Sequence, residues 1–317
     1  MFGQLIAGFS LFSLIALPVL AEDVEGSASE QIEVQRSYLG NGRLLVNDML
    51  GDGKDRWRTA SYNVSVIRGY GWDGNLPDVL GDILEFRFMG ELIQPADIVT
   101  PAPGDRPYAG AWSFGLHSHY ETAQGNEVSF GGDLVVIGPQ TGIDSLQSSI
   151  HNLFGVDGPS DATLAGQVGN KVRPSATLEV GRELEFGDAG QIRPFVELRA
   201  GVETFARVGF DYTFGSFGQG AMMVRDPVTG HRFRTIKGAG QGLSFVAGAD
   251  IAKVWDSTYL PEDRGYTLTD SRSRVRAGLN WQRKNWSVFY GATWLSKEFV
   301  GQTEGQVTGA VNINVKF

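Results

Sequence analysis

Four histidines, His117, His119, His151 and His231, are the candidate proton carriers of this 317-residue chain. An imidazole titrating near ~6.5 suits base catalysis at neutral pH. His151 stands out because Gln147 precedes it by four residues in GIDSLQSSIHNLFG, residues 142–155. That segment has no period-two alternation. Gly142 or Asp144 can cap a short helix there, and Gly155 can end it. Gln147 and His151 then share one helical face, while Leu146, Ile150 and Leu153 form an apolar stripe. From that face Gln147 can orient a water or donate to a developing oxyanion. The bland alternative is a loop helix packed on a rim by its apolar stripe, with His151 as an ordinary surface histidine.

Asn47-Asp48 offers side-chain oxygens to a hard cation such as Ca²⁺, or simply marks the exit of a strand into a turn. In Asp55-Arg-Trp-Arg-Thr59-Ala-Ser61, Thr59 begins a run in which Thr59, Ser61, Asn63 and Ser65 share one strand face. Thr59 is therefore expected to point inward. His117 and His119, two apart on a strand, can chelate a metal. Gly104-Asp-Arg-Pro-Tyr-Ala-Gly110 reads as a tight turn. No Gly-x-Ser-x-Gly, phosphate-loop or His-Glu-x-x-His motif occurs, which removes the serine-hydrolase, nucleotide-hydrolase and zincin readings.

The elements that must position these residues are strands. Val307, Gly309, Val311, Ile313, Val315 and Phe317 alternate with Thr308, Ala310, Asn312, Asn314 and Lys316, and equivalent alternation recurs along the chain. Strands are expected near 42–48, 59–72, 81–94, 109–122, 125–137, 172–186, 190–204, 206–216, 242–256, 271–284, 286–299 and 307–317. The Gly-rich stretch 214–241 reads as an external loop or hairpin. A soluble sandwich turns its apolar face inward, whereas a transmembrane barrel turns it toward lipid. Residues 1–21 are uncharged and apolar and end in Val19-Leu-Ala21, the pattern of a signal peptide. Residues 22–41 then read as a polar N-terminal linker, and 42–317 as the barrel. No later segment has the unbroken apolar run of a spanning helix. Export, abundant aromatics and the aromatic C-terminal strand favour the barrel: an all-β, 12-stranded antiparallel transmembrane β-barrel with a short helix in a connecting segment. The chain has no cysteine, which excludes disulfides and thiolate chemistry, and its 27 basic against 36 acidic residues argue against a nucleic-acid partner.

Taken in order, Asn47-Asp48, Asp55-Arg-x-x-Thr59, Gly104-Asp-Arg-Pro-Tyr-Ala-Gly110, Gly138-Pro139 and Leu146-Gln-Ser-Ser-Ile-His151 resemble the outer-membrane lipid A 3′-O-deacylase (LpxR) family. The resemblance implies an outer-membrane multi-pass barrel of a Gram-negative bacterium with a hydrolytic site toward the outer leaflet. It implies an ester hydrolase that removes the 3′-linked acyl chain of lipid A, the lipid of lipopolysaccharide, with Ca²⁺ as cofactor. By the same resemblance His151 is the general base and Gln147 positions water or substrate. Asn47 and Asp48 hold the cation, Thr59 completes the pocket and Asp157 assists with the metal. The chain departs from the family where Arg58 replaces the aromatic before the threonine and Ser61 replaces a glycine. A monomer is expected. The competing readings are a passive barrel (narrow porin or adhesion protein) and a phospholipid acylhydrolase on the same scaffold. Large inward arginines such as Arg193, Arg199, Arg274 and Arg276 argue for a narrow or plugged lumen.

Overall fold

The computed structural model describes residues 35–315 except residue 188. The expected signal peptide (1–21), most of the linker and the terminal Phe317 lie outside the described residues. The strands are β1 (Ser37–Asn47), β2 (Trp57–Gly69), β3 (Ile83–Gln94), β4 (Ala109–Glu121), β5 (Glu127–Ile137), β6 (Lys171–Gly181), β7 (Leu184–Phe186) and β8 (Gly190–Ala200). They continue with β9 (Glu203–Phe214), β10 (Met222–Arg225), β11 (Arg232–Ile236), β12 (Gly242–Ser257), β13 (Arg272–Gln282), β14 (Trp286–Leu295) and β15 (Gln306–Val315). Two helices, α1 (Ile143–Phe154) and α2 (Asp161–Ala165), lie in the β5–β6 connection. All strands but β7, β10 and β11 form one antiparallel, closed, 12-stranded barrel, in which β6 pairs with β8 and β1 with β15.

The burial pattern is that of a membrane barrel. Phe114, Phe130, Leu134, Val275 and Leu279 are exposed on the outer wall, while Asn63, Ser65, Glu85 and Thr308 are fully buried inside. A soluble sandwich would reverse that assignment. Each expected strand has its counterpart, but β1 begins at Ser37 rather than at 42, so the linker expected over 22–41 ends earlier. Ser37 and Tyr38 pair with Gly69 and Arg68, and a register shift follows between Tyr38 and Gly40. Backbone pairing holds this half-strand, so side-chain alternation does not mark it.

The stretch 214–241 is a hairpin, but it is not external. β10 and β11 pair with each other and fill the lumen from the end where β1 begins and β15 ends. Met222, Val224, Phe233 and Ile236 pack with Leu44, Val46 and Phe289 in one buried apolar cluster. On β1, a Cβ at Gly40 or Gly42 would collide with the carbonyl oxygens of Thr235 and Arg234. Glycine there lets β11 lie flush against the barrel wall. The hairpin also carries charge into the lumen: Arg225 pairs with Glu179 and Asp211, both at 2.7 Å. His231 is buried on it, edge-on to Phe289 at 5.2 Å, which removes it from the candidates for surface chemistry.

Above the hairpin, arginines and carboxylates of many strands interlock. Arg58 contacts Glu91 at 2.5 Å, Glu298 at 2.6 Å and Glu203 at 3.0 Å. Glu298 also meets Arg106 at 2.6 Å and Arg272 at 3.7 Å. Removing one partner from such a network strands the buried charges of the others, at a cost of ~3–5 kcal/mol. Glu298→Ala is therefore expected to destabilise the barrel by about that amount, read as a lowered urea midpoint for the folded, heat-modifiable form. A change within ~0.5 kcal/mol, the scale of ordinary surface substitutions, would contradict this.

Candidate active site

The site forms at the opposite end of the barrel from Ser37 and Val315, where the β1–β2, β3–β4 and β5–β6 connections meet. β1 ends at Asn47, whose side chain turns back to accept from the Met49 amide at 2.8 Å and caps a short 3-10 turn. Asp48 follows with inward parity and is fully buried. Its Oδ2 accepts from the Arg56 amide at 2.7 Å and its Oδ1 from the Thr59 hydroxyl at 2.9 Å.

Trp57 adopts φ +54°, a left-handed conformation rare for a bulky residue. Arg56 stacks on its ring at 4.2 Å and Asp105 accepts from its indole N–H at 3.2 Å, which hold the turn in place. A register break follows, with Arg58 and Ala60 opposite the adjacent residues Ile93 and Leu92. Thr59 is the extra residue of this bulge. A bulge re-aims neighbouring side chains, and here it permits two consecutive inward residues. Arg58 enters the lumen network while Thr59 faces Asp48. The arginine that departs from the family pattern thus belongs to the ion lattice and not to the site.

Thr59 also contacts Asp55 through the same hydroxyl oxygen. One hydroxyl proton cannot serve two carboxylates, so the pair needs a further proton or a cation. Burial pushes the Asp48 carboxyl up to about 7, with Asp55 and Asp52 adding repulsion against the Arg56 amide and Thr59 hydroxyl. An all-oxygen cluster of two carboxylates and a hydroxyl fits a hard divalent cation such as Ca²⁺. Among the described residues no group of three or more His, Cys, Asp or Glu is spaced for a metal, so any such ion would rely on hydroxyl, backbone or water oxygens as well.

Helix α1 lays a polar face on this cluster. Ile143 and Gln147 are its buried residues, whereas Leu153 of the expected apolar stripe is 71% exposed. Polar partners decide the orientation. The Tyr108 hydroxyl donates to Gln147 Oε1 at 2.9 Å, and Gln147 Nε2 donates to Gln94 at 2.7 Å. Gln94 in turn donates to the Asp55 carbonyl at 2.9 Å. Burial raises the Tyr108 phenol well above its ordinary value, which keeps it a donor.

His151, one turn on, brings Nε2 to 3.7 Å from Asp55 Oδ2. Its Nδ1 lies 2.6 Å from the backbone carbonyl of Asp157. A carbonyl only accepts, so Nδ1 carries a proton, and Nε2 is the ring nitrogen turned toward the acidic cluster. What Asp157 brings to the histidine is this carbonyl; its side chain is exposed. The structure therefore gathers His151, Gln147, Asp48 and Thr59, while the Asn47 amide serves its turn. Asp55, Gln94 and Tyr108 join the site without having been singled out from sequence. Asp55 and Tyr108 lie in the Asp55-Arg-x-x-Thr59 and Gly104–Gly110 segments, but nothing in their spacing ties them to residue 151. The other histidine pair is inward and cross-strand: His119 meets Glu85 at 2.7 Å and His117 meets Asp133 at 3.2 Å.

A closed barrel with lipid-facing apolar walls, a hairpin in its lumen and an acid–histidine cluster on its rim defines the class as an outer-membrane β-barrel protein. The chain belongs to the LpxR family: residues 8–317 match the model described as outer membrane protein LpxR. The solved structure of LpxR from Salmonella typhimurium is similar at TM-score 0.71 and 17% identity, covering 88% of this chain and 100% of that one. The β domain of the Bordetella autotransporter BrkA matches at TM-score 0.47 and 10% identity, covering 88% and 99% of the respective chains. The NanC porin matches at 0.40 and 6%, covering 88% and 100%. No curated protein matches the chain.

Proposed function

We propose that the protein is an outer-membrane esterase that hydrolyses the 3′-linked acyl chain of lipid A, with His151 as general base. Family membership supports the class of protein. The observation that carries the chemistry is the orientation of His151, its Nδ1 held by the Asp157 carbonyl and its Nε2 3.7 Å from Asp55, a member of the Asp55–Thr59–Asp48 cluster. Nε2 takes a proton from water as the water oxygen attacks the ester carbonyl carbon. The tetrahedral intermediate then expels the sugar oxygen, which takes that proton from the imidazolium and leaves as the free 3′-hydroxyl, while the acyl chain leaves as a carboxylic acid that loses its remaining proton to solvent. Asp55 stabilises the imidazolium between the two steps. Gln147, held by Tyr108 and Gln94, presents its amide toward the reacting water or substrate. In this reading Asp48, Asp55 and Thr59 would hold Ca²⁺, whereas Asn47 caps its turn and the Asp157 side chain is exposed. The ion, when bound, supplies positive charge to the developing oxyanion.

The test is mass spectrometry of lipid A incubated with the protein in detergent, with calcium and with a chelator. Loss of the 3′ acyl mass in the calcium sample alone is expected. Intact lipid A beside hydrolysed phospholipid would establish the acylhydrolase reading instead. No product from either would leave a passive barrel.

A further inference from the structure

The wall of the barrel is incompletely zipped at the end away from the site. Among the described residues, β1 and β15 register through only Leu45–Val311, Val46–Ala310 and Asn47–Gly309. By contrast β14 and β15 pair along their whole length, from Trp286–Val315 to Leu295–Gln306. Below Leu45, β1 turns instead onto β11, the close approach that Gly40 and Gly42 permit. A cleft of about 210 Å³ opens where the seam parts, between Tyr38–Asn41, Asn314–Val315 and the β13–β14 turn. A single water needs only ~10–15 Å³, so a larger group fits.

The charge in this cleft is one-sided. Arg234, Lys237 and Arg283 line it, and no carboxylate does among the described residues. Arg234 is the exception among the hairpin's arginines. Arg225 and Arg232 each have carboxylate partners, whereas Arg234 donates to the neutral oxygens of Gln282 and of Ser287, the latter at 3.0 Å. A half-buried guanidinium with no carboxylate partner among the described residues is costly to keep, and an anion is its natural complement. Lys237 is anchored beside it by its donation to the Lys284 carbonyl at 3.0 Å. The surroundings point to the source of that anion. Trp286 and Tyr38 line the cleft and Trp281 packs edge-on to Trp286 at 5.0 Å. Arg283 sits over the Trp281 ring at 5.6 Å. Aromatic rings beside basic residues on a barrel wall mark headgroup depth.

We propose that the seam cleft binds the phosphate of a glycerophospholipid headgroup, with Arg234 as the anchor and Lys237 and Arg283 flanking it. The lipid's acyl chains follow the outer wall beside the parted strands. The site lies at the opposite end from the esterase cluster and does not rest on that function.

Native mass spectrometry of the full chain in detergent, titrated with phosphatidylglycerol, diacylglycerol or inorganic phosphate, tests this. One phosphatidylglycerol adduct is expected on the wild type, at least tenfold weaker binding in Arg234→Gln, and no adduct with diacylglycerol. Equal binding by a heat-modifiable Arg234→Gln would overturn the proposal. So would saturation by inorganic phosphate with no lipid adduct, which would make this a free-anion site. Should Arg234→Gln not fold, the double variant Lys237→Gln/Arg283→Gln, changed only on the rim, decides. A severalfold loss of lipid binding is expected, and unchanged binding overturns the assignment.

Discussion

His151→Ala is expected to lower lipid A deacylation by ~10²–10⁴-fold, the range supplied by a positioned general base. The ring's Nδ1 is held by a carbonyl and its Nε2 faces the acidic cluster, and no other histidine lies at the site. His117, His119 and His231 are buried in the lumen. The variant should keep its heat-modifiable migration, because His151 holds the helix only through the Asp157 carbonyl and its contact with Asp55. Asp55→Asn should cost less, since it removes the imidazolium's partner while leaving the base in place. The measurement is initial rate by mass spectrometry at saturating calcium. Wild-type activity in folded His151→Ala would exclude the histidine as base.

The calcium requirement is expected to depend steeply on pH below about 7. Asp48 is held near that value by burial, with Asp52 and Asp55 adding repulsion and the Arg56 amide and Thr59 hydroxyl opposing it. The sign follows from this raised carboxyl. Below about 7 it carries a proton in the metal-free protein, and a cation must displace that proton to bind. Each unit of falling pH should therefore raise the half-saturating calcium concentration about tenfold, flattening above neutrality. Asp48→Asn should abolish the slope together with most of the calcium-supported rate. Calcium titrations of activity between mildly acidic and mildly alkaline pH would show it. A requirement independent of pH across that range would place the cation elsewhere.

The alternation of residues such as Val311, Ile313 and Val315 against Asn312 and Asn314 made the strands legible, because a pleated strand alternates faces with a period of two. The uncharged first 21 residues and the rich aromatic supply chose lipid over water for the apolar face. Gln147 and His151 were also legible as a pair, since a helix sets residues four apart on one side. The buried face of that helix was not. Its apolar stripe suggested packing through Leu153, yet specific hydrogen bonds to Tyr108 and Gln94 turned the polar face inward.

Local pattern thus determined the strands and their number, since alternation depends on residues only two apart, while the inversion of their faces was argued from the character of the whole chain. Tertiary structure decided the rest. The position of Asp55 at His151 depends on a bulge at Thr59 and a turn through left-handed Trp57, neither of which has a periodic signature. The hairpin of 222–236 enters the lumen because Gly40 and Gly42, nearly two hundred residues away, clear its path and because carboxylates on distant strands meet Arg225. Contacts of that range are fixed only when the sheet closes, as closure brings residues remote in sequence within hydrogen-bonding distance.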